Sequence, residues 1–68
     1  MSNITGRLLN ARRVPVSGGY IVVGDVYEDT RGRFNDGDTI STSVVVQEDG
    51  PIILTANSIY EVEGWRLE

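Results

Sequence analysis

The sequence predicts an all-β fold: a small, strongly bent antiparallel five-stranded sheet or a partly open barrel, with little or no helix. Three observations carry this. The segments rich in Val, Ile, Thr and Tyr are short, and the clearest of them, Thr39 to Gln47, alternates with period two. Gly, Asp and Asn clusters separate these segments at the spacing of a small β-sheet or barrel. No stretch of helical length repeats its apolar residues with a period of 3.6.

Ile4 to Ala11 alternates well enough for the first strand. Arg12-Arg13 and Val14-Pro15-Val16 follow; Pro15 cannot donate to a ladder, so this piece reads as an edge or a strand exit. Ser17-Gly18-Gly19 is a loop signal. Tyr20 to Tyr27 is the second strand, and Gly24 inside it marks a bulge or bend of the kind a closing barrel uses. Glu28 to Gly32 is a polar turn, Arg33-Phe34 a short strand stub, and Asn35-Asp36-Gly37-Asp38 a second turn in which Gly37 is free to take positive φ. In the third strand, Thr39 to Gln47, Ile40, Thr42, Val44 and Val46 share one face. Glu48-Asp49-Gly50-Pro51 is a hairpin loop with Asp49-Gly50 at its centre, Ile52 to Thr55 the fourth strand and Ser58 to Val62 the fifth. Asn57, between them, reads either as a turn or as a polar strand residue. In the tail, Gly64-Trp65-Arg66-Leu67, Trp65 is expected to pack against a sheet edge.

The 68 residues make one β domain, residues 1–68. A chain of this size buries only roughly 60% of its unfolded surface and gains about 3–5 kcal/mol from its core. It contains no cysteine and no histidine, so disulfides, thiolate metal sites and the usual zinc ligand sets cannot be assembled. Oligomerisation is the remaining staple, and a homo-oligomer is expected. Without histidine the commonest general base near neutral pH is missing, and Ser-His-Asp or Cys-His machinery cannot be written. The expectation is therefore a protein that is not an enzyme and carries no cofactor or metal.

No apolar run approaches the ~18 residues of a membrane span, and the N-terminus lacks the basic start and apolar core of a secretion signal. A cytoplasmic location follows by default. The net charge of −4 argues against general nucleic-acid binding. Every basic residue is arginine, and Arg7, Arg12, Arg13, Arg31 and Arg33 all lie in the first half. Arginine's planar fork suits phosphate and carboxylate, so a local anion site on an acidic protein is one reading, and plain compositional bias is the other.

Three constellations could carry chemistry. Arg31, Arg33 and Phe34 are the first: on an extended stretch the two guanidiniums would project together beside a ring able to stack a base. The plainer alternative is solvated arginines next to a core phenylalanine. Thr42 with Ser43, and Thr55 with Asn57 and Ser58, are the second. These hydroxyls and amides could read a base edge or a sugar, although threonine is also simply a good strand residue. The third is the acidic set Asp36, Asp38, Glu48 and Asp49. It begins like a calcium loop but lacks the closing glutamate, and reads best as solubilising turn carboxylates.

Arg33-Phe34-x-Asp36-Gly37-x-x-Ile40-x-Thr42-Ser43-x-Val45 and Thr55-x-Asn57-Ser58-x-Tyr60-x-Val62 together resemble a pattern common in small bacteriophage proteins. Over residues 31–62 the chain resembles in particular the Thoeris anti-defence proteins of the first type. Those are β-rich oligomers that sequester cyclic ADP-ribose isomers and, at separate sites, other cyclic nucleotides. The chain is short for that family, with little room for an N-terminal helical region. The resemblance implies an anti-defence protein that holds a cyclic nucleotide without catalysis in the host cell. Its pocket would be lined by Arg33, Phe34, Thr42, Ser43, Thr55 and Asn57, with Arg31 beside them. The alternative is a protein-binding inhibitor of a host defence complex, such as an anti-CRISPR. Without a ligand or partner, the chain would be a structural domain.

Overall fold

The computed structural model describes residues 4–66. They form six strands and no helix: β1 (Gly6–Val16), β2 (Gly19–Tyr27), β3 (Thr39–Ser41), β4 (Val45–Asp49), β5 (Ile52–Thr55) and β6 (Ile59–Val62). One sheet contains them all, in the order β3-β2-β1-β6-β5-β4. The all-β class holds, with six strands instead of five. The sheet is mixed: β1 and β6 run parallel, Gly6 opposite Tyr60 and Leu8 opposite Val62, while the other pairs are antiparallel. That parallel pair joins residues far apart in sequence, and no local signal announces it.

The extra strand comes from the third expected one. After Ser41 the chain leaves the edge beside β2, crosses residues 42–44, and resumes as β4 on the opposite edge, beside β5. A bulge follows between Val45 and Gln47. The break and the bulge undo the expected alternation. Ile40 and Thr42 are buried, Val45 packs on the core, and Val46 is 68% exposed. One continuous segment thus serves both edges, and the sheet curls without closing its ladder. Curling brings β4 back over the β1–β2 hairpin.

Turn residues act where expected. Gly18 (φ 91), Gly37 (φ 91) and Gly50 (φ 59) occupy the left-handed region, which costs a glycine little. Gly50 leads the two-residue turn between Asp49 and Ile52, so the turn centres on Gly50-Pro51 and not on Asp49-Gly50. Gly24 does mark a bulge, but the extra residue sits across from it. β1 inserts one residue between Leu9 and Arg12, with Asn10 at φ 54. A Cβ at position 24 would lie 3.2 Å from both the Ala11 Cα and the Leu9 carbonyl oxygen, so only glycine lets the bulged strand lie this close.

Pro15 is the penultimate residue of a continuous β1, where its partner Tyr20 flanks it on one side only. Arg33-Phe34 lies in a bend and forms no strand. Ser58 precedes β6 instead of opening it. Trp65 does not reach a sheet edge: it bridges Ala11 of the central strand β1, with Ala11 N–H donating to Gly64 O (3.0 Å) and Arg66 N–H to Ala11 O (2.7 Å). Leu67 lies outside the described residues.

The core is Leu8, Ala11, Val22, Val26, Ile40, Ile53, Tyr60 and Val62, with Tyr20, Phe34, Val45 and Trp65 packed against it. A polar latch spans the gap between β4 and the hairpin. Arg13 forks Glu48, Tyr20 O–H donates to the same carboxylate (2.6 Å), and the Arg13 guanidinium lies 4.0 Å from the Trp65 ring centre. The Arg13 hydrogen bond first, and the Tyr20 one second, hold the Glu48 carboxyl below its usual range against the opposing pull of partial burial. A lowered folded-state pKa gives stability that is complete above the ordinary glutamate value, about 4.3, and lost as pH falls through the lowered one. Acid melting is therefore expected to be shallower in Glu48→Gln than in the natural chain over that window. Equal acid slopes in a pH series of thermal melts would remove the latch from the account.

Candidate functional site

In the loop between β2 and β3, the bend at residues 31–34 is ordered by one carboxylate. Asp29 accepts from the backbone N–H of Arg33 (2.7 Å), Phe34 (3.0 Å) and Arg31 (3.4 Å). Partial burial pushes the Asp29 carboxyl up, but the three amides outweigh it and leave the group below its usual range. This fixed bend turns Arg33 and Phe34 toward the link at residues 42–44.

There a hollow of about 100 Å³ is lined by Arg33, Phe34, Ser41, Thr42, Ser43, Thr55, Asn57, Ser58 and Tyr60. Six of the seven residues chosen from sequence meet in it. The seventh, Arg31, does not. It lines a neighbouring hollow of about 320 Å³ with Thr5, Leu54, Ala56 and Ile59. Thr55, Asn57 and Ser58 border both hollows. The expected pairing of Arg31 with Arg33 required an extended backbone, and the turn at Arg31 with Gly32 at φ 67 separates the two side chains instead.

The lining residues do different work. The Thr42 hydroxyl accepts from Val22 N–H (3.0 Å) and donates to Ser43 O (2.8 Å), replacing ladder partners where the chain leaves β2. The Thr55 hydroxyl accepts from Ser58 N–H (3.1 Å) and donates to Ser58 O (3.0 Å), closing the turn before β6. Both are committed to the fold and shape the wall. Asn57 is at once a bend residue and a wall residue, donating through Nδ2 to Ser43 Oγ (3.3 Å). Phe34 is half-buried and packs on the core while lining the hollow, so its core and pocket roles coexist.

Arg33 donates to Ser58 Oγ (3.2 Å), and its guanidinium lies 5.5 Å from the Phe34 ring centre. Among the described residues it makes no ion pair, whereas Arg7 pairs with Glu28 and Glu61, and Arg13 with Glu48. Among the described residues no carboxylate lines the hollow. On a chain with ten acidic residues, that leaves one guanidinium among hydrogen-bond donors in the hollow, a set suited to an anion. Ser41 and Tyr60 were absent from the residues chosen by sequence, and Ser58 stood in the second constellation without being assigned to the pocket. Ser58 and Tyr60 fall inside the quoted pattern, whereas Ser41 carries no signal of its own.

The acidic turn residues Asp36 and Asp38 cap backbone amides, of Glu28 (2.9 Å) and Asn35 (3.0 Å) respectively. Among the described residues no group of three or more His, Cys, Asp or Glu side chains is placed to hold a metal ion, and no helix is long and apolar enough to cross a membrane. No protein-family model, no curated protein and no solved structure matches the chain.

Proposed function

We propose that the chain is a non-catalytic receptor for a phosphate-bearing small molecule of the cyclic-nucleotide class. In the setting implied by its resemblance to phage anti-defence proteins, it sequesters a host immune signal and acts as a homo-oligomer in the host cytoplasm. The supporting observation is the convergence of Arg33, with no ion-pair partner among the described residues, with hydroxyls, an amide and an aromatic ring in one carboxylate-free hollow. The lining contains no histidine, cysteine or carboxylate to move a proton near neutral pH.

Size refines the reading. Pockets that enclose a whole drug-sized ligand measure roughly 300–1,000 Å³. The Arg33 hollow, about 100 Å³, takes a phosphoryl group alone. A nucleotide anchored there extends over the 55–58 turn toward the larger Arg31 hollow, or beneath a second copy of the chain.

A protein-binding inhibitor is the second reading. It is favoured by the acidic surface where Glu28, Asp36, Glu61 and Glu63 line two further hollows, each bordered by Arg7.

Thermal melts with cyclic mononucleotides, cyclic dinucleotides and cyclic ADP-ribose isomers test the proposal. A ligand at 100 times its Kd adds about 2.7 kcal/mol, and in a domain this small each 1 kcal/mol raises Tm by roughly 4–8 °C. A rise of about 10 °C or more is expected with the cognate ligand. No rise with any of them, together with capture of one host protein, would replace this reading by the inhibitor.

A further inference from the structure

We infer that the floor of the Arg33 hollow is an oxyanion subsite in which the Tyr60 phenol donates a hydrogen bond to a phosphoryl oxygen of the ligand. The inference rests on the anion-binding reading above and names a donor and a ligand group for it.

Tyr60 lies on β6 between Gly6 of β1 and Ile53 of β5. It is only 3% exposed. Its ring is held in place: a Cβ on Gly6 would already lie 3.3 Å from the Tyr60 Cε1. Yet the phenol oxygen has no hydrogen-bond partner among the described residues. Among those residues, no fully buried polar side-chain atom lacks a partner. The Tyr60 oxygen therefore keeps a small contact with solvent, and the hollow that Tyr60 lines is that of Arg33. A phenol so enclosed ordinarily has a protein partner. Here water can fill that role in the free protein, and an acceptor group of a bound ligand can take its place.

The neighbouring groups select the sign of that occupant. Ser58 Oγ already accepts from Arg33, and Ser43 Oγ already accepts from Asn57. Neither hydroxyl donates to a described residue, so each has its proton to offer. Arg33 has further N–H groups beyond the one spent on Ser58. The hollow thus presents hydroxyl and guanidinium donors around a space of about 100 Å³, with Ser58 Oγ and Ser43 Oγ each already accepting one bond. The Arg33 charge, with no carboxylate among the described lining residues, favours a compact, multiply accepting oxyanion over a neutral base or sugar. Phosphate esters and free phosphate share that chemistry.

Tyr60→Phe isolates the phenol. The free protein is expected to melt as the natural chain does, because the lost hydroxyl bonds to no other described residue. Affinity for inorganic phosphate and for 3′,5′-cyclic AMP, measured by NMR titration, is expected to fall by about tenfold or more, the usual loss for a hydrogen bond to a charged group. The Tyr60 ring resonances of the natural chain should shift in both titrations. Unchanged phosphate affinity in Tyr60→Phe overturns the subsite, even if nucleotides bind. A lower melting temperature of the free variant also overturns it, since the hydroxyl would then have an internal partner. Tyr60-dependent phosphate binding without any cyclic-nucleotide binding supports the subsite and sinks the nucleotide receptor instead. No binding of inorganic phosphate by the natural chain overturns the subsite and leaves the nucleotide receptor to the melts with the other cyclic nucleotides.

Discussion

Leu8→Ala is expected to leave the chain largely unfolded at room temperature. Leu8 is fully buried on β1, the strand flanked by β2 and β6 at the middle of the sheet, opposite Val26 on one side and Val62 on the other. Truncating a buried leucine costs about 2–5 kcal/mol through lost transfer energy and the cavity left behind. A single core in a domain of this size supplies about 3–5 kcal/mol in total. The two magnitudes are comparable, so one side chain decides between folded and unfolded. Urea denaturation followed by circular dichroism measures it. Val46→Ala is the matched control: Val46 is 68% exposed at the β4 bulge, and its loss should leave the transition almost unmoved. If Leu8→Ala melted close to the natural chain, the stability would have to come from contacts between copies.

What was legible in the sequence follows from how local each cause is. The turns at Gly18, Gly37 and Gly50 were legible because positive φ demands a particular residue at a particular place. The bulge was legible from Gly24 for a related reason: a close backbone approach excludes a side chain, although the sequence could not say which strand carries the extra residue. The division of Thr39 to Gln47 into β3 and β4 was not legible. Nothing within that run breaks it, with no Gly or Pro between Thr39 and Gln47. The break is imposed by topology, since one segment must reach both edges of a curled sheet. The Thr42 hydroxyl makes the departure tolerable by accepting from Val22 N–H.

The candidate site was legible to the same depth. Thr42, Ser43, Thr55 and Asn57 stood out as polar groups in or beside apolar strands, and in the structure they meet around one hollow. Arg31 was misplaced because its position was inferred from an extended backbone that the Asp29-centred bend replaces. Tyr60 reads from sequence as an ordinary strand aromatic. Its distinguishing feature is an oxygen without a partner, and that depends on every neighbour at once.

Arg33→Ala is expected to weaken ligand binding by roughly 10- to 100-fold while leaving the fold intact. Removing one charge-assisted hydrogen bond to an anion costs about 1.5–3 kcal/mol, and each 1.4 kcal/mol is tenfold in affinity. The fold should tolerate the change, because Arg33 is exposed, makes no ion pair among the described residues and gives up only its bond to Ser58. Phe34→Ala cannot serve the same purpose, since Phe34 also packs on the core and its loss mixes binding with stability. Arg33→Lys keeps the charge but loses the planar fork, so it should fall between the natural chain and Arg33→Ala. Arg31→Ala should cost much less, because Arg31 lines the neighbouring hollow. Isothermal titration with the ligand identified by the melts, at two salt concentrations, measures all three variants. Equal losses from Arg31→Ala and Arg33→Ala, both vanishing at high salt, would mean that diffuse charge attracts the ligand and that the hollow does not hold it.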